Sequence, residues 1–152
     1  MKTFKKVLPA MKLLGNAMEK YSRIEKMPFD FGVGDPLFPA EIKMVSTVVG
    51  HGSSGVTDLA RELGITKGAV SQIIGRLCKK GLLSREKDQL NRARSIIRAT
   101  ESGRIAHDNH MEFHKHHDAE FIEFLGGLDD DSYRLVCELS EKMNSWMDNY
   151  LE

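Results

Sequence analysis

The stretch "VTDLARELGITKGAVSQIIGRL", residues 56–77, carries the strongest structural signal in the chain. Its helical spacing predicts two short helices over residues 57–63 and 67–80. Gly64 follows the first helix, where a left-handed glycine ends a helix at little cost, and Thr66 is a natural N-cap for the second. Together these features predict a helix-turn-helix. Its predicted buried side is formed by Leu59, Leu63, Ile65, Val70, Ile73, Ile74 and Leu77.

The outward side of the second helix is polar and basic and includes two glycines. Gly68 and Gly75 each cost about 1 kcal/mol relative to alanine inside a helix, which is tolerated where a bulky partner approaches the backbone. DNA is such a partner, because its major groove admits a helix with little spare room. Gln72 suits an adenine edge, and Arg76 suits guanine or a phosphate; the alternative is ordinary solvated surface. The predicted DNA contacts are Thr66, Lys67, Gly68, Ser71, Gln72, Arg76 and Lys79.

A β-hairpin is predicted directly after these helices. The runs "LLSREK" at 82–87 and "SIIRA" at 95–99 are strand-like and flank the polar tip "DQLNRAR". Such a hairpin completes a winged helix. Arg92 and Arg94 at the tip are predicted to contact DNA, because arginine is the side chain that favours a narrow minor groove.

The charge of the chain is zero overall but is unevenly distributed. Residues 61–104 carry eleven Lys and Arg against four Asp and Glu, a balance of +7. Residues 105–152 carry three against twelve, a balance of −9, and residues 1–60 carry eight against six, a balance of +2. This asymmetry indicates a segment that faces a polyanion, with unequal solvated surface as the alternative.

Helices are also predicted on both sides of this unit. Residues 4–26 and the last segment, capped by Asp131 or Ser132, are amphipathic. Their apolar stripes need cover. Packing of these helices on each other supplies part of it and a second copy of the chain is the expected source of the rest, so the sequence predicts a homodimer.

Three further segments connect these parts. Pro39 opens a helix after the proline- and glycine-rich loop 27–38, and "GHGSSG" at 50–55 ends that helix as a flexible link. Thr100 caps a long helix that runs to Leu125.

The composition predicts one domain of a globular cytosolic protein. The chain has 152 residues, 41% of them hydrophobic and 29% charged, and no apolar run of membrane-spanning length. Cys78 and Cys137 are too few for a disulfide scaffold and suit a reducing compartment. A half-buried thiol, rather than an oxidant sensor, is the favoured interpretation of Cys78.

On these motifs the chain resembles the MarR family of bacterial and archaeal transcription regulators. The resemblance extends from the terminal helices through the winged helix-turn-helix to the "TESGR" turn at 100–104. It implies a single domain over 1–152, mainly α with a small β-hairpin wing. Within it the resemblance implies a winged helix-turn-helix lobe over 37–103 and a helical dimerisation region over 1–30 and 104–152.

The resemblance also implies a function. Members of this family are cytoplasmic homodimers, and each winged lobe reads half of a pseudo-palindromic operator in double-stranded DNA. A repressor whose operator affinity is set by an unidentified small-molecule or metal effector is therefore expected, with activation left open. The family's Asp-x-Arg at the wing tip reads "NRA" here, at 91–93, so Arg92 or Arg94 is expected to take the arginine's role.

The segment "HDNHMEFHKHH", 107–117, concentrates five of the six histidines. His107, His110, His114 and His117 fall on one stripe of the long helix, and two histidines four apart are able to hold one metal ion. Resemblance to the zinc-responsive branch of the family places Glu25, His110 and His114 on three ligand positions of its main site. The fourth position is Lys43, which cannot ligate while charged.

Two interpretations of the histidines follow. One is a zinc-sensing regulator that uses Glu25, His110 and His114. The other is a polar seam between the dimer region and the DNA-reading lobe. The chain also resembles the fatty-acid-synthesis repressors of the family, whose long helix has a similar run without metal sensing. The lysine favours the seam. Alternatives from other classes are a metallohydrolase, for which no acid–base constellation is present, and a protein–protein adaptor, against which the polar helix face argues.

Overall fold

The computed structural model of the chain describes residues 3–88 and 95–150. These residues are mainly helical and include a small three-stranded antiparallel sheet, which confirms the predicted fold class. The chain divides into two compact units, Met1–Met111 and Glu112–Glu152. The elements in chain order are α1 (Phe4–Ile24), α2 (Pro39–His51), β1 (Ser54–Gly55), α3 (Val56–Leu63), α4 (Lys67–Lys79), β2 (Leu83–Lys87), β3 (Ser95–Ala99), α5 (Glu101–His117), α6 (Ala119–Gly126) and α7 (Asp130–Asp148).

The apolar core of the first unit lies among α2, α3, α4 and the sheet. Each of these elements contributes aliphatic side chains that solvent does not reach, and burying one such side chain stabilises the fold by about 1.5–3 kcal/mol. Pro39 opens α2 as predicted, and the apolar residues of α2 face inward. The largest fully buried side chains are Leu37, Met44, Val45, Val48, Leu59, Val70, Ile74, Leu77, Leu82 and Ile97.

The sheet has the strand order β1-β3-β2. β2 and β3 form the predicted hairpin, in register from Leu83 opposite Ala99 to Lys87 opposite Ser95. The prediction of a flexible link at 50–55 is wrong in part, because Ser54 and Gly55 form β1 and pair with Ile97 and Ile96 of β3. Ser54 and Gly55 are buried, and buried backbone groups require hydrogen-bond partners, which β3 supplies.

Helix α5 begins as predicted but ends early. The hydroxyl of Thr100 accepts a hydrogen bond from the Gly103 N–H at 3.1 Å, so Thr100 is its N-cap. The predicted continuation to Leu125 is wrong, because Asp118 leaves the helical conformation (φ −102°, ψ 6°) and separates α5 from α6. The Asp118 carboxylate lies 2.5 Å from Nδ1 of His114. Aspartate favours helix ends because its side chain competes for local hydrogen bonds.

Helix α7 is capped by Asp129 rather than by Asp131 or Ser132. The Asp129 carboxylate accepts a hydrogen bond from the Ser132 N–H at 2.8 Å, so the helix begins two or three residues earlier than predicted. Hydrogen bonds from the Ser132 backbone and side chain lower the pKa of Asp129 below its ordinary value.

The apolar side chains of α1, α6 and α7 are exposed or only half-buried in the single chain. None of these three helices has a buried residue. Leu13 of α1 is 70% exposed, Phe121 of α6 is 63% exposed and Leu135 of α7 is 65% exposed. No helix in the described part of the chain is long and apolar enough to span a membrane.

Candidate nucleic-acid interface

The turn between α3 and α4 has the geometry that the local sequence predicts. Gly64 adopts the left-handed conformation (φ 65°, ψ 29°), and its N–H donates to the carbonyl of Ala60. Thr66 then caps α4, since its hydroxyl accepts a hydrogen bond from the Ala69 N–H at 3.2 Å. A non-glycine residue at 64 would be strained in this conformation, so Gly64 sets where the first helix ends.

The inward side of this pair is mostly buried. Leu59, Val70, Ile74 and Leu77 are fully buried, Ile73 is 8% exposed and Leu63 is half-buried. The prediction that Ile65 is buried is wrong, because Ile65 is 38% exposed. Ile65 lies in the turn between the two helices, so its side chain does not share the inward face of either helix.

The predicted DNA-contacting residues of α4 and its cap are all accessible. They recur at three- and four-residue steps, which places them along one side of the helix. Their contact with DNA stays a prediction, but the structure leaves their side available to a partner. The exposed residues are Thr66, Lys67, Gly68, Ser71, Gln72, Arg76 and Lys79.

In the described part of the chain, nothing packs against the two glycines of α4 closely enough to require a residue without a side chain. A Cβ atom built on Gly75 would have no atom within 4 Å, apart from its chain neighbours and the backbone of its own helix. A Cβ atom built on Gly68 would lie 3.9 Å from the Thr66 hydroxyl. Neither residue has a positive φ. Alanine would therefore fit at both positions in the free protein and would favour the helix.

A buried carboxylate lies behind the exposed end of α4. Glu41, on the first turn of α2, is 3% exposed. Its Oε2 accepts hydrogen bonds from Lys80 Nζ at 3.0 Å and from the Phe38 N–H at 3.2 Å. Its Oε1 lies 3.4 Å from Nε of Arg76. A carboxylate at this depth needs such partners, since an unpaired buried charge is strongly unfavourable.

The ionisation of Glu41 reflects these contacts. Burial raises its pKa, but hydrogen bonds from Lys80 and the Phe38 N–H, the charge of Lys80 and a hydrogen bond from Arg76 outweigh burial. The pKa of Glu41 is therefore lower than its ordinary value, and the group is a carboxylate at neutral pH.

Sequence reasoning did not identify Glu41 or Lys80 as part of this site. Glu41 is the third residue of α2, and a glutamate at this position commonly accepts a hydrogen bond from the N–H of the residue that precedes the helix, here Phe38. This hydrogen bond was therefore predictable from the sequence. In the sequence, Arg76 is 35 positions and Lys80 is 39 positions away from Glu41. No local sequence signal predicts ion pairs over such separations.

The wing is described up to Asp88 and from Ser95 onward. Arg92 and Arg94 lie outside the described residues. On the strands, Arg85, Lys87 and Arg98 are exposed, and Arg98 lies 3.8 Å from Glu86.

The histidines of α5 make different contacts along the helix. In the first unit, Ser46 Oγ of α2 lies 3.0 Å from His107 Nδ1 and 3.3 Å from His110 Nδ1. The ring of His110 also meets Phe31 edge-on, with centroids 5.3 Å apart. One hydroxyl can donate one hydrogen bond and accept others, so Ser46 is able to serve both rings.

In the second unit, the imidazole of His114 lies beside Asp118, and His117 stacks on Phe113 with ring centroids 3.8 Å apart.

No group of three or more His, Cys, Asp or Glu side chains in the described chain is placed to hold a metal ion. Glu25, His110 and His114 are all described residues, and zinc binding by them stays a prediction. Lys43, at the fourth position, is exposed on α2.

A polar cavity of about 520 Å³ opens beside the wing. His51 and Glu62 both line it and are in contact, with an Nε2–Oε2 distance of 2.7 Å. The cavity lies among α2, α3 and the sheet. The site at which the predicted effector binds stays a prediction.

Comparison with known proteins agrees with this geometry. Residues 44–94 match the sequence model of the MarR family. A curated relative, the uncharacterized HTH-type transcriptional regulator YhjH of Bacillus subtilis, is 28% identical over 102 residues, which are 67% of this chain. The chain spans only 58% of the length of that relative.

Two solved structures have the same fold. The zinc-responsive MarR family member ZitR of Lactococcus lactis superposes with a TM-score of 0.71 at 13% identity, over 91% of this chain and 96% of that one. FabT of Streptococcus pneumoniae, solved in complex with DNA, superposes with a TM-score of 0.67 at 15% identity, over 97% of this chain and 99% of that one.

The capped α3–α4 pair and the adjoining hairpin define a winged helix-turn-helix protein. The resemblance to the MarR family of transcription regulators, drawn from the sequence, is confirmed by the match of residues 44–94 and by the shared fold.

Proposed function

We propose that the protein is a transcription regulator that binds double-stranded DNA through α4 and the wing. The observation that carries this proposal is the outward side of α4, which is exposed, bears Gln72, Arg76 and Lys79, and contains two glycines without an internal packing role. A helix of this kind fits the major groove closely. The FabT structure in complex with DNA supports the same assignment by its fold.

The proposed DNA-binding form is a homodimer. The uncovered apolar residues of α1 and α7 support it, since exposed apolar stripes of this size are typical of subunit contacts. The proposed lobes are the predicted ones, with residues 37–103 reading DNA and residues 1–30 and 104–152 forming the dimer. A two-fold dimer would read a pseudo-palindromic operator, one half-site for each subunit.

The proposed regulator is a cytoplasmic repressor without enzymatic activity, and a ligand sets its operator affinity. For the histidines of α5, we favour the polar seam. The shared contact of His107 and His110 with Ser46 supports it, because this contact joins α5 to α2 through a side-chain hydroxyl.

Zinc sensing is the second candidate and can be tested separately. If Glu25, His110 and His114 form a site, Zn²⁺ should raise the thermal midpoint, and His114→Ala should abolish that rise. His116→Ala is the matched control, because His116 lies off the predicted stripe. Stoichiometric zinc in protein purified without an affinity tag, lost in His114→Ala, would favour the sensor over the seam.

The main proposal is tested by DNA binding at several salt concentrations. The wild-type protein should bind random duplex DNA with an affinity that falls steeply with salt, and should enrich a preferred duplex from a random library. Gln72→Ala should relax the preference at one base position, at a loss of roughly 1–3 kcal/mol on the enriched duplex. Asn144→Ala, an exposed amide on α7, is the control.

The wing arginines should behave differently from Gln72. Arg92→Ala and Arg94→Ala should weaken binding to all sequences and reduce the salt slope by about one each if they contact phosphates.

A protein that binds no duplex DNA at low salt would refute the proposed function. A Gln72→Ala protein with an unchanged preference would show that another face of the fold reads the bases.

A further inference from the structure

Arg76 has an acidic partner from another helix although it lies on the outward side of α4. Its Nε is 3.4 Å from Oε1 of Glu41, while its side chain remains 55% exposed. A guanidinium carries five N–H donors, of which Nε supplies one. The four donors on the two terminal nitrogens therefore remain for a second acceptor, such as a guanine edge or a phosphate.

Glu41 does not depend on Arg76 for its charge balance. Lys80 lies closer to the carboxylate, at 3.0 Å, and its side chain is only 23% exposed. Lys80 Nζ also donates to the carbonyl of Pro36 at 3.2 Å, which fixes the ammonium at this place. Because Lys80 already neutralises Glu41, the contact with Arg76 chiefly restrains the arginine.

We propose that Glu41 is a positioning residue for DNA recognition. Its carboxylate, held by Lys80 and the Phe38 N–H, binds Nε of Arg76 and presents the terminal nitrogens of the guanidinium to DNA in one orientation. This inference rests on the proposed function. A side chain ordered before binding loses less conformational entropy when the complex forms, and the planar guanidinium fork recognises guanine or phosphate only in the correct orientation.

The substitution Glu41→Gln separates this role from packing. Glutamine has nearly the same size and can still accept the Phe38 N–H hydrogen bond, as it does in capping boxes, but it lacks the charge that holds Arg76. We expect the ratio of affinities for the enriched duplex and for random duplex to fall about tenfold, the size of one well-made base contact. Affinity for random duplex should not fall, because the charge of Arg76 remains.

Two comparisons make the experiment specific. Glu138→Gln removes the same charge from the exposed surface of α7 and reports the effect of net charge. The double variant Glu41→Gln with Arg76→Ala tests the connection, because a positioning residue has no further effect once Arg76 is gone. A merely structural role of Glu41 would lower the ratio equally with and without Arg76.

The outcomes are distinct. An unchanged ratio in Glu41→Gln, or an equal fall in both backgrounds, would overturn this inference while the proposed function stands. Wild-type protein that binds no duplex would refute the proposed function and this inference with it.

If Glu41→Gln does not fold, NMR of the arginine Nε–H groups in free wild-type protein replaces it. A restrained Arg76 signal supports the inference. Motion equal to that of Arg23, an exposed arginine on α1, overturns it.

Discussion

Gly103 and Leu82 are in contact at the junction between the wing and α5. A Cβ atom on Gly103 would lie 2.2 Å from the carbonyl oxygen of Leu82, a distance at which the backbone would have to move. The same carbonyl accepts hydrogen bonds from the N–H and the hydroxyl of Thr100. The cap of α5 and the start of β2 are therefore held together at a point where only glycine fits.

We expect Gly103→Ala to destabilise the protein despite the higher helix propensity of alanine. The added methyl group displaces α5 from Leu82, at a loss of roughly 1–3 kcal/mol in the free energy of unfolding. Urea denaturation measures this change. Gly15→Ala is the matched control, because its Cβ would meet no described atom within 4 Å, and it should raise stability. Equal stability of the Gly103→Ala and wild-type proteins would contradict the contact.

The Gly75→Ala substitution should separate stability from DNA binding. The free protein should gain about 1 kcal/mol, because alanine favours the helix and its methyl group meets no described neighbour. Affinity for duplex DNA should fall, because the methyl group would occupy space that the groove requires. Thermal unfolding and a binding titration on the same sample measure both effects. A stabilised variant with full DNA affinity would mean that Gly75 does not face DNA.

Charge on the last helix should disrupt the proposed dimer. Leu139 is 46% exposed in the single chain, and Leu139→Glu or a charge at Met143 would place a carboxylate within the proposed subunit contact. We expect an aggregating or unfolded chain, as also for deletion of residues 1–20, measured by light scattering and circular dichroism. Glu138→Gln on the same helix is a control for the surface charge. A stable, folded monomer of the intact wild-type chain would refute the dimer.

Acid should weaken the fold in part through Glu41. The pKa of Glu41 is lower in the folded protein than its ordinary value. The stability that the ionised carboxylate contributes is therefore fully present at pH values above the ordinary pKa, and it is lost as the pH falls through the pKa of the folded protein. Glu41→Gln should therefore be less stable than wild type at pH 7, by about 1–3 kcal/mol for charged hydrogen bonds. The difference should shrink in unfolding experiments at decreasing acidic pH. A difference that stays constant with pH would contradict the ionised, buried carboxylate.

Local signals determined much of this protein from the sequence alone. The end of α3 at Gly64, the cap of α4 at Thr66 and the cap of α5 at Thr100 depend on residues only a few positions apart. Backbone sterics and capping hydrogen bonds act over this range, so their patterns are visible in a single chain.

Tertiary structure decided the features that depend on distant neighbours. The strand at Ser54–Gly55 differs from the sequence-based prediction because its partner β3 lies far away in the sequence. The ion pairs of Glu41 join α2 to α4, and whether that carboxylate is buried depends on how the two helices pack. The sequence specifies which side chains can pair, but the distance and burial that make a pair strong arise only when the core forms.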